Sequence, residues 1–189
     1  MKVTAFNCSP RKNGNSSILI KTLFSVLSAC GIETETVQVG GTPIRGCTAC
    51  LLCKKNQDRK CAIGTDILNS CVEKMIESDG IILASPTYFS DITAEAKALI
   101  DRAGYVGKAN NALYRRKVGA ALITQRRAGG VHAFDSINHF FLASEMIIAG
   151  SFYWNLGVGK DIGEVNEDKE GLESIKVLGE NIAWVLKPR

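Results

Sequence analysis

Residues 46–61 read GCTACLLCKKNQDRKC, which holds Cys47, Cys50, Cys53 and Cys61, the first three at every third position. Thiols at this density bind metal, exchange electrons as disulfides or pack as small hydrophobes. Four cysteine ligands suit one cubane iron–sulfur cluster. The two-residue gaps turn consecutive sulfurs toward one compact core, and KKNQDRK is long enough to arch back with the fourth. The ferredoxin run instead has a three-residue final gap, whose cysteine serves a second cluster; this chain has no second set of four. Zinc also accepts four cysteines, but its usual pattern is two separated C-x2-C pairs. Empty thiols or a redox-active disulfide form a further alternative. Plain packing does not suit a polar, lysine-rich loop.

A second stretch, SPRKNGNSS (9–17), has the chemistry of an anion site. Its small residues let backbone N–H groups approach a ligand, and a following helix adds partial positive charge. Ser9, Ser16 and Ser17 offer hydroxyls, Asn13 and Asn15 amides, and Arg11 a charge. It matches neither G-x-x-x-x-G-K-[ST] nor G-x-G-x-x-G. The alternative is an ordinary polar turn with a helix cap. In SPTYFSD (85–91), Pro86 stiffens a turn, Thr87 carries a hydroxyl, and Tyr88 and Phe89 can pack on a flat ring or serve as core or interface. In TQRRAGG (124–130), Thr124 and Gln125 carry donors, and Gly129 and Gly130 allow close approach to a ring edge. GVGKDIG (157–163) has suggestive glycines but opens no helix, and is expected to be a plain loop.

These loops need elements to hold them. The pattern predicts strands at 2–8, 33–39, 80–85, 118–124 and 147–152. It predicts helices at 16–30, one with Ile67, Cys71, Met75 and Ile76 on one face behind Thr65 or Asp66 as N-cap, and others at about 93–103, 131–146 and 168–186. Strands alternating with helices imply an α/β, doubly wound, five-stranded parallel sheet of order 2-1-3-4-5 with helices on both faces. Its ligand crevice lies beyond the C-terminal ends of strands 1 and 3, where the loops after Cys8 and Ser85 emerge. No repeat or linker divides residues 1–189, so one domain carrying the cysteine loop is expected.

The 189 residues carry 23 Lys and Arg against 19 Asp and Glu, a net charge of +4 that is too small and scattered to argue for nucleic acid. The pairs Arg115-Arg116 and Arg126-Arg127 are either solvated surface or phosphate ligands. No signal-like or membrane-spanning run is evident, which leads us to expect a cytoplasmic protein without a membrane partner. Seven cysteines cannot all pair within one chain. Cys8, Cys30 and Cys71 lie in or beside apolar elements and read as small hydrophobes.

SPRKNGNSS after the first strand, GC-x2-C-x2-C, and GIILASPTYFSDITAEAKALIDR together resemble the iron–sulfur flavoprotein family. That family lies within the flavodoxin-like, NADPH-dependent FMN reductase group. The resemblance runs through nearly the whole chain, including GEVNEDKEGLESIKVLGENIA. It implies FMN phosphate on Ser9, Arg11, Asn13, Asn15, Ser16 and Ser17. It places the isoalloxazine ring against Pro86, Thr87, Tyr88, Phe89 and the loop holding Thr124, Gln125, Gly129 and Gly130. It also implies one [4Fe–4S] cluster on the four cysteines, and a homodimer or tetramer. The expected function is an electron-transfer oxidoreductase fed by NAD(P)H or a ferredoxin-like carrier. Lys54, Lys55, Arg59 and Lys60 either dock an acidic carrier or solubilise the loop. The rivals are a cluster-free NAD(P)H-dependent FMN or quinone reductase, a passive flavodoxin-like carrier, and a zinc-stabilised interaction module.

Overall fold

A computed structural model describes residues 1–187. Its strands are β1 (Lys2–Asn7), β2 (Glu33–Gln38), β3 (Gly80–Pro86), β4 (Val118–Gln125), β5 (Ile147–Ile148) and β6 (Leu156–Val158). Its helices are α1 (Asn15–Ala29), α2 (Leu52–Asn56), α3 (Leu68–Glu77), α4 (Ala94–Ala109), α5 (Gly130–Ala143) and α6 (Lys169–Leu186). The sheet is parallel throughout, in order β2-β1-β3-β4-β5, with β6 also pairing β4. The order inferred from the alternation of elements is thus observed.

The sheet is coated on both sides because its central strands are apolar in both directions. Ile81 and Leu83 of β3 enter one buried cluster with Leu68, Met75, Leu99, Val106 and Phe141, which come from α3, α4 and α5. Ile82 and Ala84 enter the other with Leu19, Leu23, Ile175 and Leu178 from α1 and α6. A continuous apolar strand is what a site between two helix layers demands.

The fifth strand departs from expectation. Only Ile147 and Ile148 pair with the start of β4, and the chain rejoins the far end of β4 as β6. Ser151 draws the intervening turn together: its Oγ lies 2.7 Å from Tyr153 O, 2.7 Å from Ser174 Oγ and 2.9 Å from Asn155 Oδ1. The string 157–163 is therefore partly strand. Gly157 and Gly159 permit its packing, since a Cβ would sit 2.7 Å from Val165 in either case. The helix after the cysteine loop starts at Leu68, so neither Thr65 nor Asp66 is its N-cap. Its N-cap position is Ile67, and Asp66 Oδ1 accepts from Leu68 N at 3.2 Å. The helix expected at 93–103 continues to Ala109. Among the described residues, no helix is long and apolar enough to cross a membrane.

Candidate functional site

The loops after β1, β3 and β4 meet at the C-terminal edge of the sheet. Ser9, Arg11, Asn15, Ser16, Pro86, Thr87, Tyr88, Thr124 and Gln125 line one open cleft there, with about 640 Å³ of empty space. No side chain caps α1 at Gly14, and while the N–H groups of Ser17 and Ile18 donate to Gly14 O, those of Asn15 and Ser16 are left for an anion. Arg11, Arg126 and Lys160 bring positive charge to the cleft. Thr87 Oγ1 is buried without a hydrogen-bond partner among the described residues. A buried hydroxyl without a partner is costly unless a ligand completes it.

Several expected contacts are used differently. The Asn15 amide donates to Gly159 O at 3.2 Å and Asp161 O at 3.0 Å, and accepts from Gly163 N at 2.9 Å. It clamps the 157–163 segment beside the cleft and does not reach outward. Asn13 is exposed and Ser17 half-buried, both outside the cleft lining. Protein packs closely against Gly129 and Gly130. A Cβ on Gly129 would meet Ser90 Cα at 2.9 Å, and one on Gly130 would meet Gln125 Oε1 at 2.5 Å. Gln125 Oε1 accepts instead from Gly130 N, at 2.8 Å. Phe89 does not line the cleft: it and Ser90 have positive φ, 46° and 65°, and Tyr88 and Asp91 exchange backbone hydrogen bonds of 2.7 and 3.0 Å. This two-residue hairpin turn holds Phe89 fully in solvent.

Arg126, weighed above as a phosphate ligand, lines the cleft, and so do Gly159 and Lys160, which the anion-site motif did not include. The glycine spacing of 157–163 was the available signal, but its meaning was close packing. Of the other basic pair, Arg115 is committed to Glu145, 2.7 Å away.

The four cysteines line a second, narrow cavity. Cys47, Cys50, Cys53 and Cys61 line it with Ile63, Arg102, Tyr105 and Val106. The chain reaches this shape at some conformational cost: Ala49, Leu51, Gln57 and Arg59 all have positive φ, between 52° and 61°. Such strain gathers at functional sites. Loop ends are pinned from outside. Asn69 exchanges hydrogen bonds of 2.8 and 3.0 Å with the Cys61 backbone, and Arg59 N donates to Asn110 Oδ1 at 2.9 Å. A backbone hydrogen bond from Leu52 lowers the Cys50 thiol, and burial raises Cys53. Among the described residues, no three His, Cys, Asp or Glu side chains are gathered as ligands of a single ion. A cubane asks for four thiols around a volume, since each thiolate binds its own iron. The shared cavity with its four thiols fits that group.

The remaining cysteines divide. Cys8 and Cys71 are buried, and burial pushes both thiols up, Cys71 to about 12. Cys30 is exposed at the end of α1, so it is not the packed hydrophobe expected.

Comparison with known proteins agrees with this arrangement. The family profile described as NADPH-dependent FMN reductase matches residues 1–161. An iron–sulfur flavoprotein of Methanocaldococcus jannaschii is 35% identical over 99% of this chain and 98% of its own. The chain belongs to the iron–sulfur flavoprotein branch of the NADPH-dependent FMN reductase family. A second member, from Methanosarcina thermophila, is 32% identical over 99% of this chain and 96% of its own. Among solved structures, RosB with a bound riboflavin-phosphate derivative superposes with a TM-score of 0.73 at 18% identity, covering 98% of this chain and 78% of its own. An archaeal flavodoxin gives 0.61 at 15% identity, over 97% of each chain. These two establish the flavodoxin-like fold. The protein is a flavin-dependent oxidoreductase that uses FMN.

Proposed function

We propose that this flavoprotein transfers electrons between two centres: FMN in the cleft between the β1, β3 and β4 loops, and one [4Fe–4S] cluster held by Cys47, Cys50, Cys53 and Cys61. The single observation that carries the second centre is the convergence of all four cysteines on one cavity. The iron–sulfur flavoprotein names of the two relatives described above support it.

FMN exchanges electrons in pairs or singly and a cluster exchanges them singly, so a protein holding both can divide or combine pairs. The chain's own residues supply placement. The N-terminus of α1, Ser9, Ser16 and Arg11 hold the phosphate. Thr87 offers its unpartnered hydroxyl to the ring, and Pro86 and Tyr88 wall it. Asn15 fixes the 157–163 segment, which brings Lys160 to the cleft. Exposed Lys54, Lys55, Arg59 and Lys60 beside the cysteines suit an acidic one-electron carrier. Exposed Leu51, Tyr105, Phe152, Tyr153 and Trp154 support self-association as a dimer or tetramer.

The test is an absorption spectrum of anaerobically purified protein, with iron and acid-labile sulfide measured on the same sample. About four irons and four sulfides per chain beside flavin bands are expected. Flavin without iron, persisting after anaerobic reconstitution, would leave a cluster-free reductase.

A further inference from the structure

One charged side chain in the core serves no part of the FMN cleft. Arg102, on α4, is 1% exposed. A buried guanidinium is costly unless every donor is met. Here all five N–H groups have acceptors. Nη1 donates to Asp66 Oδ2 and to Arg45 O, the latter at 3.0 Å. Nη2 donates to Ile63 O at 2.8 Å, and to Cys61 Sγ at 3.4 Å. Nε donates to Cys61 Sγ as well, at 3.4 Å. The fork therefore grips both ends of the cysteine loop, at Arg45 and at 61–66, and points two donors at one sulfur. Asp66, itself buried, balances the charge.

Pinning a loop needs only the contacts to Arg45, Ile63 and Asp66. The two donors on Cys61 Sγ are surplus to that task and act on the sulfur. We propose that Arg102 is a positioning residue for the cluster site, orienting Cys61 Sγ into the cavity and raising the reduction potential of the centre bound there. The proposal rests on the cluster reading of the four cysteines. Its physical basis is charge. One-electron reduction leaves more negative charge on the ligand sulfurs, and N–H donors stabilise that charge more in the reduced state. Asp66 neutralises the guanidinium as a distant charge, so the effect is carried by the short-range hydrogen bonds.

The test uses the full chain, purified anaerobically with both cofactors. Wild type is compared with Arg102→Lys and with the double variant Arg102→Met/Asp66→Leu. Lysine keeps the charge but cannot place a two-pronged fork on the sulfur. The double variant removes both charges together, so neither is left buried and unpaired. Iron, sulfide, FMN, melting temperature and cluster potential are measured on each.

Both variants are expected to keep about four irons, with melting temperatures near wild type. At the wild-type midpoint, the reduced-to-oxidised ratio should fall about tenfold in the double variant, equivalent to 59 mV for one electron. The fall in Arg102→Lys should be smaller. A potential unchanged in both variants with full iron overturns the proposal. Wild type that takes up no iron overturns the cluster reading itself, a result visible before any variant is made.

Discussion

The hydroxyl of Thr87 separates binding from folding at a single atom. It is buried in the cleft wall without a hydrogen-bond partner among the described residues, so folding alone gains nothing from it. Thr87→Val should leave the melting temperature of the FMN-free protein unchanged or slightly raised. FMN affinity should fall about fivefold to tenfold, since one hydrogen bond contributes on the order of 1 kcal/mol. Flavin fluorescence titration measures this, and unchanged affinity would remove Thr87 from the site. Cys50 gives the complementary case. It lines only the cysteine cavity, on a different loop from every residue of the cleft. Cys50→Ala should therefore lose its cluster iron while retaining stoichiometric FMN. Full iron in that variant contradicts the ligand assignment.

Among elements, the segment after β2 links the two sites. Gln38 Nε2 donates to Ser9 O and to Gly40 O, both at 2.7 Å, and Thr93 at the head of α4 donates to Cys8 O at 3.0 Å. Gly40 lies so close beneath the phosphate loop that an added Cβ would sit 2.3 Å from Ser9 C and 2.4 Å from Cys8 O. Backbone cannot yield as a side chain would. Gly40→Ala should cost about 2 kcal/mol or more and weaken FMN binding with it. Gly31→Ala is the control. Its φ is +76° but nothing lies within 4 Å, so it should cost only about 1 kcal/mol and leave FMN binding intact. Equal flavin affinity in the two variants would refute the proposed support. This linkage also shows what the sequence displayed and what it hid. The alternation of apolar strands and helices made the sheet order and the three cleft loops legible, because burial imposes that pattern on every residue of an element. The glycines at 129, 130, 157 and 159 were visible, but not whether a ligand or protein approached them. Arg102 was hidden as one charge in the apolar stripe Leu99, Ala103, Val106. A charge at a core position is a signal, but its partners lie 36 to 57 residues away in sequence.

For the whole molecule, the carboxylates that join distant segments set the response to acid. Burial pushes the Asp66 carboxyl up, but the Arg102 hydrogen bond and the backbone N–H groups of Arg45 and Leu68 outweigh it and hold it below its usual range. Glu35 is held low chiefly by its hydrogen bond to Lys2, then by Lys74, which ties β1, β2 and α3 together. A carboxyl lowered in the folded chain leaves the unfolded chain to bind protons first as pH falls. Its contribution is complete above the unfolded values, about 3.9 for Asp and 4.3 for Glu, and is lost below them, as pH falls through the folded value. The melting temperature should therefore be nearly level from pH 7 to about 5 and drop steeply below about 4. Glu35 is partly exposed and solvent screens its share, so Asp66 should dominate. Arg102→Met/Asp66→Leu removes the buried pair but leaves Glu35 and the general repulsion among positive charges. Its melting temperature should fall less than that of wild type between pH 5 and pH 3. Parallel acid profiles would move the sensitivity away from Asp66, and the pair would then serve the cysteine cavity without governing the stability of the fold.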